Sequence, residues 1–291
     1  MRAAMNGVVK YHAMGNDYLV ADPERAGFGV DSAVARILCD RNAGLGADGV
    51  LYGPLADPGT PGTYHLRIFN ADGTECARSG NGLRLFARYL REHGYTDRDE
   101  VVLHTLGGAV RVRHSGGPDG TGTVDLGGWS HHDPQRPADA ALIDEPIEVA
   151  GVRLRVTTVH NGVPHAVLPV ADASAELARE LGPLLVEHPA FSDRMNIEFL
   201  TVEERNTVRV EVWERGAGHT RASGSGACAA VCAAYRLGLV DAGVTVRMPG
   251  GSVGVDIVDG ERVLLTGPSR EVGTTILADE FRALLQVEPA R

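Results

Sequence analysis

The chain has 291 residues, of which 43% are hydrophobic and 23% charged, and its 38 acidic against 28 basic side chains give a formal net charge of -10. That is apolar material for one large core or for two domains of about 100–150 residues, and it excludes a disordered chain. The acidic balance, an aromatic content of 5% and the lack of a basic stripe exclude nucleic acid or an anionic membrane surface as the expected partner.

The first predicted elements are strands over 8–11 and 17–21, joined through His12–Tyr18. Gly15-Asn16 reads as the hairpin turn, and Asn16 is either only a turn residue or an amide that reaches a ligand. Asp31 caps a predicted helix through Cys39, with Val34, Ile37 and Leu38 at helical spacing. Gly44, Gly46 and Gly49 match G-x-G-x-x-G, but a helix precedes them and a strand (50–52) follows, the reverse of the order a dinucleotide fingerprint needs. A turn over 57–62 leads to the strand 64–69.

The stretch from Asn70 to Arg84 organises the chain. It runs from that strand through a polar, glycine-bearing loop into a helix with Leu83, Phe86, Ala87 and Leu90 at helical spacing. Ser79-Gly80-Asn81-Gly82 therefore stands at a helix N-terminus, where unpaired amides and the positive dipole end suit a carboxylate or a phosphate. Strands over 101–104 and 109–114, a turn over 116–122 and a strand over 124–126 follow. The proline-bearing stretch 129–138 is the expected linker.

The second half opens with strands over 147–149 and 152–158. His160-Asn-Gly-Val-Pro-His165 then leads into a strand over 166–170, with His165 either structural or a site residue. A helix over 173–181, a loop over 188–196 and strands over 197–201 and 207–213 come next. From Glu214 to Cys228 the strand–loop–helix pattern recurs: glycines, then Ser223-Gly-Ser-Gly226, then a small-residue helix over 227–237. Two matching units imply two similar half-domains, each with one helix end facing a shared cleft. Strands over 244–248, 252–257 and 263–266, a Gly267-Pro268 turn and a helix over 278–287 close the chain.

The four cysteines, Cys39, Cys76, Cys228 and Cys232, show no disulfide framework. Cys228 and Cys232 stand at i, i+4, but no His/Cys pair completes a zinc set, and both read as small buried side chains. No basic-then-apolar leader and no apolar run near the ~18 residues of a membrane span are present, so a cytoplasmic setting is expected.

Gly15-Asn-Asp-Tyr18, Arg41 to Gly49, Asn70-Ala-Asp-Gly-Thr74, Gly80-Asn-Gly-x-Arg84, Gly162-x-Pro-His165, Asn196-Ile-Glu-Phe199, Glu214-Arg-Gly216, Gly224-x-Gly226 and Gly267-Pro268 together resemble the diaminopimelate epimerase family, in order and over nearly the whole chain. The resemblance implies an α/β fold of two pseudo-symmetric halves, each a curved sheet around a central helix, with the ligand in the cleft between them. The halves would be 1–128 with 276–291, and 129–275. It implies no pyridoxal phosphate and no metal, a small-molecule amino-acid substrate, and allows a homodimer. One residue at each helix end would move a proton on opposite faces of the α-carbon. The amides of Gly80, Asn81, Gly224 and Ser225 would hold the α-carboxylate.

Where that family has cysteine as both acid/base residues, this chain has Ser79 and Ser223. A thiol ionises near ~8.5 and is easily lowered at a helix N-terminus, whereas a hydroxyl is a far weaker acid. Each serine then needs a partner for its proton, and the resemblance nominates His165 and Glu214. Cys76 and Cys228 do not replace the missing thiols, being offset from the serines in opposite directions. Asn16, Asn70, Asn196 and Arg215, with Glu214, match residues that hold the distal end of diaminopimelate. Val163 stands where that set has Asn, and His219 where Glu is usual, which points to a different amino acid with a carboxylate for Arg215. The alternatives are a redirected isomerase, dehydratase or cyclase of the same fold using His165, Glu214 or His219, a non-catalytic amino-acid-binding homologue, and an engineered Cys-to-Ser substrate trap, against which Val163 and His219 speak. Neither serine sits in G-x-S-x-G, which excludes a serine hydrolase of that type.

Overall fold

The computed structural model describes residues 6–55, 60–114, 120–131, 141–191 and 195–285. In chain order the elements are β1 (Gly7–Ala13), β2 (Asn16–Ala21), α1 (Pro23–Ala26), α2 (Ser32–Cys39), β3 (Gly49–Leu55), β4 (Thr63–Asn70), β5 (Glu75–Cys76), α3 (Gly80–Glu92), β6 (Glu100–Thr105), β7 (Gly108–His114) and β8 (Gly122–Gly128). They continue as β9 (Glu145–Val149), β10 (Val152–His160), β11 (Pro164–Pro169), α4 (Ala175–Val186), β12 (Asn196–Glu204), β13 (Thr207–Glu214), β14 (Gly218–Thr220), α5 (Gly224–Arg236), β15 (Gly243–Met248), β16 (Gly251–Val258), β17 (Arg262–Gly267), β18 (Arg270–Ile276) and α6 (Asp279–Leu285). This is the mixed α/β fold the sequence implies, with strands dominating.

Contacts divide the chain into two units, Met1–Val124 with Gly267–Arg291, and Asp125–Thr266. In the first, β1 pairs antiparallel with β2, β2 parallel with β3, β3 antiparallel with β4, β4 parallel with β6, and β6 and β7 continue antiparallel. Successive side chains of a strand face opposite sides. Val50 joins the cluster around α2, with Leu38, Phe69, Leu277 and Leu285, while Leu51 reaches Gly82 at the start of α3. Helix α3 turns Leu83, Leu85, Phe86, Ala87, Tyr89 and Leu90 into the interior. Each of these leucines and Phe86, fully buried, contributes roughly 1.5–3 kcal/mol.

The second unit repeats the order. β10 pairs antiparallel with β11, β11 parallel with β12, β12 antiparallel with β13, β13 parallel with β15, and β15, β16 and β17 continue antiparallel. One face carries α5, whose alanines and cysteines let strands approach closely. The other carries the α4 cluster, with Leu181, Leu185, Ile197 and Phe199.

Two local readings are corrected. The β1–β2 turn is Met14-Gly15, both at positive φ (54° and 91°), and Asn16 is the first residue of β2, opposite Ala13. A two-residue hairpin turn with both central residues left-handed fits the strand twist. Helix α4 begins at Ala175 behind a Ser174 cap and passes through Gly182-Pro183 to Val186. Gly182 lies where a Cβ would stand 2.6 Å from the Trp213 ring, so packing against that ring carries the helix past its sequence breaker. The short elements α1, β5 and β14 have no sequence periodicity to announce them. The chain returns to the first unit at Gly267, where the Gly267-Pro268 turn leads into β18, which pairs with β1. Parts of the expected turns 57–62 and 116–122, linker 129–138, loop 188–196 and terminal helix 278–287 lie outside the described residues.

Candidate functional site

In the first unit Ser79 is the N-cap of α3, with extended backbone (φ -138°, ψ 112°), and its Oγ accepts from the Gly82 amide at 3.0 Å. Serine is favoured there because its oxygen satisfies one of the unpaired first-turn donors. Gly80 and Asn81 open the helix beside it. The Tyr18 hydroxyl lies 3.0 Å from the Ser79 Oγ. Tyr18 is buried on β2, and its ring crosses the neighbouring strand at Gly49, where a Cβ would meet it at 2.7 Å.

Asn16 and Asn81 belong to a chain of hydrogen bonds that runs from the buried Arg84 out to the exposed Asp48. Arg84, fully buried, donates to the Asn81 carbonyl at 2.7 Å, Asn81 donates to the Asn16 carbonyl at 3.1 Å, and Asn16 donates to Asp48 at 2.9 Å. Asn16 is thus engaged at both ends of its amide. Asp17 beside it binds Lys10 and Arg41; burial works to raise its carboxyl, but those two cations outweigh it and hold it below the ordinary carboxylate value. Asn70 donates to Thr74 at 2.9 Å, closing the turn into β5.

In the second unit Ser223 is the N-cap of α5, and its Oγ accepts from the Gly226 amide at 3.3 Å. Gly224 and Ser225 open the helix, and Asn161 donates to the Ser225 carbonyl at 2.9 Å. His165 Nδ1 lies 2.7 Å from Glu198 Oε1, and both side chains are fully buried. Among the described residues His165 Nε2 and Glu198 Oε2 have no hydrogen-bond partner, so the structure bonds His165 to Glu198 and to neither serine. Burial raises the Glu198 carboxyl above its ordinary value, His165 opposes that rise, and the charge of Glu214 adds to it. Glu198 Oε1 stands 2.9 Å from where a Cβ on Gly226 would be, which places it against the first turn of α5.

The remaining nominated residues line the approach to β12 and β13. Asn196 accepts from the Arg215 amide at 3.0 Å, and Val163 is partly exposed at 36% in the turn before β11. His219 does not join the cluster. It binds Glu211 at 2.7 Å and is the register partner of Trp213, on the α4 side of the sheet. The thiols are not replacements either: Cys228 is buried inside α5, and burial raises the Cys76 thiol, which donates to the Arg78 carbonyl. No cluster of three or more His, Cys, Asp or Glu side chains among the described residues is arranged for a metal ion.

The strand registers make the two helix ends comparable. Tyr18 pairs with Gly49 across β2–β3 as His165 pairs with Asn196 across β11–β12. The Leu51 side chain stands 3.0 Å from where a Cβ on Gly82 would be, as Glu198 stands 2.9 Å from where a Cβ on Gly226 would be. The units share one scaffold and carry different chemistry on it, a phenol beside Ser79 and an imidazole–carboxyl pair at the Ser223 end. Sequence reasoning missed Tyr18, Asp48, Asn161 and Glu198. The signal for Glu198 was a lone acid between Ile197 and Phe199 in an apolar strand.

The sequence model of a family described as diaminopimelate epimerase matches residues 8–131 and 157–272. Diaminopimelate epimerase 2 of Nostoc sp. is 39% identical over 280 residues, covering 94% of this chain and 96% of its own. Among solved structures, a probable proline racemase from Agrobacterium radiobacter superposes with a TM-score of 0.68 at 17% identity, covering 94% of this chain and 93% of its own. A hydroxyproline epimerase from Agrobacterium vitis does so at 0.66 and 18%, covering 92% and 90%. These two likenesses concern the fold.

Proposed function

The chain belongs to the diaminopimelate epimerase family, and from that premise we propose that it is a cofactor-independent epimerase or racemase that moves a proton at the α-carbon of an amino acid. The observation that carries this is the pair of serine-capped helix ends, one per unit, at Ser79 and Ser223. Each serine would handle a proton, and the open first-turn amides (Gly80 and Asn81, Gly224 and Ser225) would hold substrate carboxylate and offset charge that develops at the α-carbon. His165 and Glu214 supply titratable groups at the Ser223 end. Val163 cannot hydrogen-bond through its side chain, so a second polar end like that of diaminopimelate would lose a partner at roughly 1–3 kcal/mol. The preferred substrate is then another amino acid, with Arg215 for a distal carboxylate.

A second reading is favoured by the same serines. A hydroxyl suits a substrate whose C–H bond is already acidified better than an ordinary amino acid, so an isomerase, dehydratase or cyclase on an activated substrate fits this site as well.

The deciding experiment is α-proton exchange in D₂O followed by NMR, with LL- and meso-diaminopimelate and a panel of free amino acids, on the chain and on the Ser79→Cys/Ser223→Cys double variant. Exchange by the chain itself supports the proposal and identifies the substrate. Exchange only after cysteine is installed means an intact pocket whose native reaction needs a more acidic substrate. No exchange by either form would sink the amino-acid reading for every substrate in the panel.

A further inference from the structure

We propose that Tyr18 is the proton-relay partner of Ser79: its oxygen, as the phenolate, takes up the serine proton when Ser79 accepts one from substrate, and as the phenol returns it when Ser79 donates. This rests on the proton-transfer role of Ser79 given above.

A serine hydroxyl offers one donor and two acceptor positions. The Gly82 amide occupies one acceptor position of Ser79, and the Tyr18 oxygen, 3.0 Å away, is a second hydrogen-bond partner of that oxygen. The contact is built rather than incidental. The phenol is buried to 6% exposure, and it reaches Ser79 because Gly49 leaves room for its ring across the adjacent strand. At the matching register position the other unit places the titratable ring of His165. Both units therefore set a proton-carrying ring on the strand that faces the capped helix end.

The chemistry gives the phenol a reason to be there. A serine that removes an α-proton alone must first become an alkoxide, which is very costly. With Tyr18 present as phenolate, the α-proton moves to Ser79 Oγ while the serine proton moves to the Tyr18 oxygen, and the electron pair of the broken C–H bond stays on the substrate. In the reverse step the Tyr18 proton returns to Oγ as Ser79 protonates the carbanion. Charge and protons balance, and no alkoxide stands free. Tyr18 acts through Ser79 and is a positioning residue in this scheme.

Tyr18→Phe keeps the ring and removes the oxygen. It is expected to lower kcat for α-proton exchange by about 10²-fold with KM nearly unchanged, the size of a lost general acid–base contribution. A second measurement needs no substrate. In S79C, alkylation of the thiol by iodoacetamide, followed peptide by peptide against pH, reads the proton affinity at position 79. Adding Tyr18→Phe removes a hydrogen bond to the thiolate and should raise the alkylation midpoint by about one pH unit. An unchanged midpoint, or a Tyr18→Phe kcat within twofold of the parent, overturns the inference. A shifted midpoint in a chain that exchanges no amino acid would support the Tyr18 coupling while sinking the amino-acid reading.

Discussion

Glu198 is the residue whose surroundings most change its chemistry. It is fully buried with one oxygen on His165 and the other without a partner among the described residues. Burial raises its carboxyl, so the folded chain keeps that proton to a higher pH than the unfolded chain, where it leaves at about 4.3. A raised folded value means the contribution of Glu198 is fully present below about 4.3 and is lost as pH rises through the folded value. The stability of the parent relative to Glu198→Gln should therefore fall as pH increases above about 4.3, measured by urea unfolding across pH 4 to 8. A difference independent of pH would contradict this assignment. Ser79 and Ser223 were legible in the sequence because a cap followed by glycines before an apolar helix has a local signature. Glu198 was not, because its partner sits on a neighbouring parallel strand, a contact no sequence spacing reveals.

At the scale of elements, helices α3 and α5 are each tied down at the start by one serine oxygen on one amide. Ser79→Ala and Ser223→Ala should each destabilise the protein by about 1 kcal/mol, the ordinary worth of an N-cap, read from thermal or chemical unfolding. A loss near zero would show that the caps do not hold these helices. That structural cost is far smaller than the loss of exchange expected if the serines carry protons, so the two roles separate in one pair of variants. Most strands and long helices were readable from periodicity. The end of α4 was not, since a glycine fitted against Trp213 outweighs the breaker signal of Gly182-Pro183.

At the scale of the molecule, the first unit is completed by residues from the far end of the chain. β18 pairs with β1, and Leu277 and Leu285 join the α2 core. A chain stopped after Thr266 leaves β1 with an open edge and that core without two of its buried side chains. Hydrogen exchange read by mass spectrometry should show protection lost across β1 and β2; retained protection there would refute the dependence. The internal echo of two strand–loop–helix units was legible because glycines and serines recur in the same order. The strand β18 that pairs with β1 was not, because it is exposed on nearly every residue and shows no apolar alternation.

The matched registers of the two units also bear on how the two helix ends can vary. Where backbone shape is at stake the units agree, glycine at 82 and at 226, serine at 79 and at 223. Where charge is at stake they differ, leucine at 51 against glutamate at 198, tyrosine at 18 against histidine at 165. Two identical chains with like ends could alter both only together. With both units in one chain, each end can take its own substitutions, and one can be changed while the other keeps the scaffold.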